Sequence, residues 1–211
     1  MQIIYLETID STQKYLKEQI ETKKLQAPIA VSAELQTEGI GSRDNRWESQ
    51  KGNLFLSFAL ALDCLPADLR IESASIYFSY ILKETLASFD SKVWIKWPND
   101  LYLGDKKVGG MITNMVDESL LCGVGLNMTD APSNFAKLDV AIEKKVLLKN
   151  YFKNIEKKVL WKQVFSKYKL EFYNNQNFFT HSNGITISLG DTRLNDDGSL
   201  NINGERIYSL R

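Results

Sequence analysis

Between Lys92 and Met111 the sequence reads KVWIKWPNDLYLGDKKVGGM, a stretch that holds four lysines, two tryptophans, a Pro-Asn-Asp corner and a glycine pair. Lys106 and Lys107 are neighbours on an extended segment, so their side chains point to opposite faces and one ammonium faces the concave side of a sheet. Lys96 alternates with Val93, Trp94, Ile95 and Trp97, and its charge needs an open face or a counter-ion. Gly109 and Gly110 weaken a strand unless a bulge forms or a ligand approaches the backbone closely. Pro98, Asn99 and Asp100 suit a type I turn. Ammonium groups beside bare backbone make a place where an anion could lie.

Two further stretches carry polar chemistry. CGVGLNM sets Gly123 and Gly125 on one face of a strand that ends at Asn127, a possible polar contact. QTEGIGSRDNRWESQKGN is polar, too long for a tight turn, and reads as a mobile loop. It carries Arg43, Arg46 and Trp47: guanidinium forks match phosphate and carboxylate, and an indole can stack on a purine. The alternative for that loop is a plain solvated connection. No Gly-x-Gly-x-x-Gly opens a helix, and neither a P-loop nor a serine or cysteine triad signature is present.

The elements that must position these groups follow from periodicity. IIYL from Ile3 and IAVSAEL from Ile29 read as strands, with Asp10 or Ser11 capping a helix that carries Leu16 and Ile20. LFLSFALAL from Leu54 is a buried strand. Ala74, Phe78, Ile81, Leu82 and Leu86 mark a helix that starts near Ile71. VWIKW, LYL, VGGMITNMV and LLCGVGLNM form successive hairpins. Lys137 to Asn175 predicts two helices broken near Asn150 to Asn154. Gly184 to Arg211, with its Asp-Gly and Asn-Gly turns, predicts a small β appendage that leans on the rest. The class is α+β, a mixed and largely antiparallel sheet with helices packed on one face. Residues 1–178 form the main domain and 179–211 the appendage.

Composition narrows the function classes. The 211 residues carry 26 Lys plus Arg against 26 Asp plus Glu, so no excess of positive charge advertises nucleic-acid binding. The longest apolar run is far shorter than the roughly 20 residues of a membrane helix, and the start lacks a secretory pattern; a cytoplasmic protein without a membrane partner is expected. Cys64, Cys122 and His181 make no zinc spacing, and the cysteines read as buried thiols.

Taken together, TIDST at Thr8 to Thr12, ELQTEGIGSRDNRW, KWPNDLYLGDKKVGGM and GVGLNM resemble the biotin protein ligases, in family order between Thr8 and Met128. The resemblance implies a class II synthetase-like fold with an SH3-like C-terminal unit, and it implies adenylation of biotin by ATP with Mg²⁺, then transfer to a lysine of a biotin carboxyl carrier protein domain. It implies Lys107, Asp100 and Arg43 as catalytic. Biotin contacts fall to Ser11, Thr12, Gln13, Gln36, Gly39, Gly41, Ser42, Lys107, Gly109, Gly110 and Gly123. Nucleotide contacts fall to Arg43, Arg46, Trp47, Asn99, Lys107 and Asn127, with no protein cage for the metal. Gln13 stands where the family commonly has Asn, and Ile40, Ser42 and Asn45 stand at arginine positions of the family loop. The chain begins at the catalytic part, which implies no DNA binding, and a monomer or homodimer is expected. The rivals are a lipoate ligase-type enzyme, against which KWPND speaks, and a non-catalytic binding module.

Overall fold

The apolar run expected as a buried strand is β3 (Leu54–Ala61), flanked by β2 (Ile29–Gln36) and β7 (Ser119–Leu126) inside a seven-stranded sheet. The computed structural model of the chain describes residues 1–42, 45–182, 185–202 and 204–208. β1 (Gln2–Ile9) pairs with β2 in parallel; every other pairing in this sheet is antiparallel, in the order β1-β2-β3-β7-β6-β5-β4. The last three are β4 (Trp94–Lys96), β5 (Asp100–Leu103) and β6 (Lys106–Val116).

Helices α2 (Ala74–Ala87), α3 (Lys144–Glu156) and α4 (Trp161–Glu171) cover one face of the sheet. Phe58 centres this core, edge-on to Phe78, Tyr151 and Phe152 at centroid distances of 5.5, 5.9 and 5.7 Å. Such contacts stabilise by about 0.5–1.5 kcal/mol each beyond area burial. Helix α1 (Thr12–Glu21) lies on the opposite face, where Leu16 and Ile20 pack on Ile29, Val31, Ala59, Val116 and Leu121. The expected one-sided helix layer therefore holds for α2 to α4, with α1 as the exception. A helix of 10 residues covers only part of a face this wide. The uncovered remainder is where β3, β6 and β7 present Ser57, Gly110, Gly123 and Gly125.

One local expectation is corrected. α3 runs through Asn150 and Asn154, because both amides find acceptors, Val146 O at 2.9 Å and Thr85 Oγ1 at 2.9 Å. The break falls instead after Glu156, where Lys158 takes a φ of 47°. The Trp97–Pro98 peptide is cis.

The C-terminal strands are β8 (Phe179–Ser182) with β9 (Ile185–Ser188), then β10 (Arg193–Leu194), β11 (Leu200–Ile202) and β12 (Glu205–Ile207). Leu189, Leu194 and Leu200 are buried in the same cluster as α2 to α4. The turn before β11, with Gly198 at φ 79°, is held by three donors. Trp97 Nε1 donates to Gly198 O at 2.8 Å, Trp161 Nε1 to Asp196 O at 2.9 Å and Ser73 Oγ to Asp197 O at 2.6 Å. Trp97 therefore serves the junction with the tail and not the open sheet face. Among the described residues no helix is long and apolar enough to cross a membrane.

Candidate functional site

A cavity with about 460 Å³ of empty space, counting its open mouth, sits on the part of the sheet that α1 leaves bare. Its base is β7, where Gly123 and Gly125 alternate with Val124, together with Gly110 and Ile112 of β6. Side chains are missing where something else must lie. A methyl on Gly123 would sit 2.7 Å from Gln13 Oε1, and one on Gly125 would fall against the indole of Trp47.

One end of the cavity is built by the first turn of α1. Ser11 caps the helix from extended backbone (φ −153°, ψ 129°), its Oγ accepting from Lys14 N. Gln36 Oε1 accepts from Thr12 N at 2.8 Å and Thr12 Oγ1 at 3.1 Å, while Thr12 Oγ1 and Ser57 Oγ lie 2.9 Å apart. Gln13 Nε2 donates to Asn114 Oδ1 at 3.2 Å, whereas Gln13 Oε1 is buried with no partner among the described residues. A buried acceptor left unpaired costs about 1–3 kcal/mol, so it marks a place for a donor from a ligand. Ser11, Thr12 and Gln13 are buried, and this end combines one free acceptor with hydroxyls that can give or take a proton.

The other end carries charge. Lys107 Nζ lies 2.5 Å from Asp100 Oδ1, with the two side chains 25% and 23% exposed, and 5.8 Å from the ring of Trp47. Strict alternation would put Lys107 on one face with Gly109. The register between β5 and β6 shifts at Leu101/Tyr102, however: Leu101 faces Gly109 and Tyr102 faces Lys107, which leaves Val108 as an extra residue. This bulge turns Lys107 to the same side as Gly110, whose missing Cβ would lie 3.3 Å from Lys107 Nζ and 3.1 Å from Asp100 Oδ1. Gly109 instead backs on Gly125 O and Leu126. Lys106 is exposed.

Residues 39–42 and 45–47 of the polar loop pair with one another as the two arms of a hairpin. Trp47 N donates to Gly39 O at 2.8 Å, Ile40 bridges Arg46, and Gly41 N donates to Asn45 O at 2.7 Å. Its base is tied to α1 by Lys14 Nζ and Glu38 Oε2 at 2.9 Å. This arrangement brings Ile40, Gly41 and Ser42 to the cavity wall and lays Trp47 over Gly125. Gly39 stands behind, where a Cβ would meet Trp47 O at 2.6 Å. On the far side of Trp47 a second cleft is lined by Arg46, Glu48, Asn127, Pro132 and Phe135. Phe135 meets the indole edge-on at 6.4 Å, and Trp47 Nε1 is buried without a partner among the described residues. Arg46 also donates to Thr37 O at 2.8 Å.

Of the residues the sequence singled out, the structure brings Ser11, Thr12, Gln13, Gln36, Gly41, Ser42, Trp47, Asp100, Lys107, Gly110 and Gly123 to one cavity. Arg46 and Asn127 reach the adjoining cleft. Gly109 is turned away by the bulge, and Gly39 sits at the base of the hairpin, outside the cavity lining. Asn99 does not reach either space: its buried amide donates to Met111 O while its own carbonyl accepts from Met111 N at 3.1 Å, so it holds the corner against β6. Arg43 lies outside the described residues. Sequence reasoning missed Ser57, whose signal is the lone hydroxyl inside LFLSFALAL, and Asn114 and Phe135, which carry no local signal. Among the described residues no cluster of three or more His, Cys, Asp or Glu could hold a metal ion.

The site is thus a glycine-floored cavity in a mixed sheet, with the α1 N-terminus at one end, a lysine–carboxylate pair at the other and an aromatic hairpin above. The chain belongs to the Biotin/lipoate A/B protein ligase family, whose sequence profile matches residues 5–127. It is similar to the biotin acetyl coenzyme A carboxylase synthetase of Helicobacter pylori, solved with bound biotinylated ATP, at 38% identity and a TM-score of 0.94, over 98% of this chain and 99% of that one. The bifunctional ligase/repressor BirA of Escherichia coli (strain K12) is 35% identical over 133 residues, 60% of this chain and only 40% of that protein's length. A biotin protein ligase of Aquifex aeolicus shares the fold, with a TM-score of 0.78 at 23% identity, covering 100% of this chain and 96% of that one.

Proposed function

We propose that this chain is a biotin protein ligase, which activates biotin with MgATP and transfers it to a lysine of a biotin carboxyl carrier protein domain. The observation that carries the reading is the polarity of the cavity. Its closed end holds the unpaired Gln13 acceptor beside Thr12, Ser57 and Gln36, and its other end holds Lys107. Biotin has that shape of chemistry: two urea N–H donors and a carbonyl at one end, a carboxylate at the other. Lipoate ends in an apolar dithiolane that would leave the buried Gln13 Oε1 without a donor, a mismatch that discriminates strongly.

The chemistry follows from bringing two anions together. A carboxylate oxygen attacks the α-phosphorus of ATP, the bond to the β-phosphate oxygen breaks, and pyrophosphate leaves. Lys107 places positive charge between the reacting oxygens, and its pairing with Asp100 holds the ammonium in position before substrate arrives. The divalent ion comes with the nucleotide as part of that substrate, adding charge that Asp100 is placed to face. The cleft behind Trp47, with Arg46, Asn127 and Phe135, suits the nucleotide's base and ribose. Ile40, Gly41 and Trp47 cover the mixed anhydride and keep water from it. In the second step a neutral lysine amine of the carrier attacks the acyl carbon, the bond to AMP breaks, and an amide, AMP and a proton result.

The test is to incubate the purified chain with ATP, Mg²⁺ and a carrier domain, with biotin or lipoate in turn, and follow pyrophosphate release and carrier mass. Biotin alone should support both. Lipoate-dependent release, or biotin binding without any release, would defeat the proposal.

A further inference from the structure

Asn53 touches neither the cavity nor the cleft beside it, yet it is 1% exposed and makes more hydrogen bonds than packing requires. Its Oδ1 accepts from Met128 N at 2.9 Å, Thr129 N at 3.0 Å, Asp130 N at 3.3 Å and Thr129 Oγ1 at 3.3 Å. Its Nδ2 donates to Asp130 O at 2.8 Å and reaches Asn127 Oδ1 at 3.5 Å. One side chain thus gathers the start of the long connection between β7 and α3, which has no helix or strand of its own. Gly52, at φ 96°, lets the backbone come close enough: a Cβ there would fall 2.5 Å from Thr129 Oγ1.

The same connection continues into the site. Asn127 N donates to Val108 O at 2.8 Å, and Asn127 Nδ2 donates to Ala136 O at 3.2 Å. Ala136 N donates to Lys107 O at 2.8 Å. Between these ties lie Pro132 and Phe135, which form the outer wall of the cleft and meet Trp47. We infer that Asn53 is a positioning residue for the nucleotide half of the site, acting through the 127–136 segment and leaving the other half of the cavity to α1. The inference rests on the ligase reading above, because it assigns the cleft wall to the nucleotide.

The experiment compares the whole wild-type chain with Asn53→Ala and Asn53→Asp. It measures the KM for ATP, the release rate of the preformed biotinyl adenylate, and biotin affinity without nucleotide. For Asn53→Ala, ATP KM and adenylate release should each rise about tenfold, the scale expected from deleting a buried polar partner, with biotin affinity within about twofold of wild type. Asn53→Asp keeps an acceptor for the four donors and loses the donations to Asp130 O and Asn127 Oδ1. Its ATP KM should rise severalfold and lie between the other two, and this variant carries the test if the alanine variant does not fold. Equal loss of biotin and ATP affinity would mean a general structural role and overturn the inference. Unchanged ATP KM and release in folded variants would overturn it as well, while leaving the ligase reading intact. A wild-type chain that forms no adenylate would overturn both.

Discussion

Gly125→Ala separates stability from function more cleanly than any change to a charged residue. The new methyl would fall on the indole of Trp47, against Cε2 and 2.8 Å from both Cδ2 and Cζ2. Ordinary carbon contacts lie at about 3.5–4.0 Å, so the indole must lift on the order of 1 Å. β7 is paired on both sides, and its backbone cannot retreat. Lifting the ring disturbs its edge contact with Phe135, about 0.5–1.5 kcal/mol, and its cation–π contact with Lys107, about 0.5–1 kcal/mol. Loss of both is about 1–2.5 kcal/mol, or roughly 5- to 60-fold in the binding that depends on Trp47. Folding should lose less than that sum, since alanine is favoured over glycine inside a strand by about 0.5–1 kcal/mol, which offsets part of the lost contacts. The assay is ATP KM and adenylate release beside a thermal unfolding curve of the same protein. A clearly raised KM with only a small fall in Tm is expected. A lowered Tm with normal ATP kinetics would refute the argument, because it would mean that the sheet gives way and the indole stays.

Lys107→Ala should lower adenylate formation by about 10²-fold or more, as removal of a positioned charge does, while Lys106→Ala, on the exposed face, stays near wild type in the same pyrophosphate assay. Trp97→Phe removes the donor to Gly198 O and should cost about 1 kcal/mol of stability by denaturant titration, with kcat unaltered, because the indole faces the tail. Burial tends to raise the pKa of Asp197, but hydrogen bonds from Ser199 and the Arg206 and Arg70 guanidiniums outweigh it and hold the folded value below the ordinary 3.8. Its contribution is therefore present above that ordinary value and lost as pH falls through the folded one. Asp197→Asn should destabilise the protein near neutrality and much less at strongly acid pH, and a pH-independent difference in unfolding midpoint would contradict this.

What the sequence determined by itself is what local pattern encodes. The short, continuous apolar run LFLSFALA and period 3.6 from Ala74 to Leu86 specify their elements, Ser11 caps α1, and the opposed directions of Lys106 and Lys107 follow from an extended chain. The resemblance motifs, too, are contiguous strings and were legible without a fold. The tertiary structure decided which face each motif residue meets. One extra residue at Val108 exchanges Gly109 for Gly110 beside Lys107, because a bulge resets alternation and its position depends on the partner strand β5. Trp97 and Asn99, in the most distinctive string, hold the tail and the corner, since their partners Gly198 and Met111 come from elsewhere in the chain. Gln13 is aimed by Asn114 from 101 residues away, and Asn53 gathers a segment more than 70 residues distant. Periodicity is a property of neighbours along the backbone, whereas a site is made by register and long-range hydrogen bonds, which exist only once the sheet has closed.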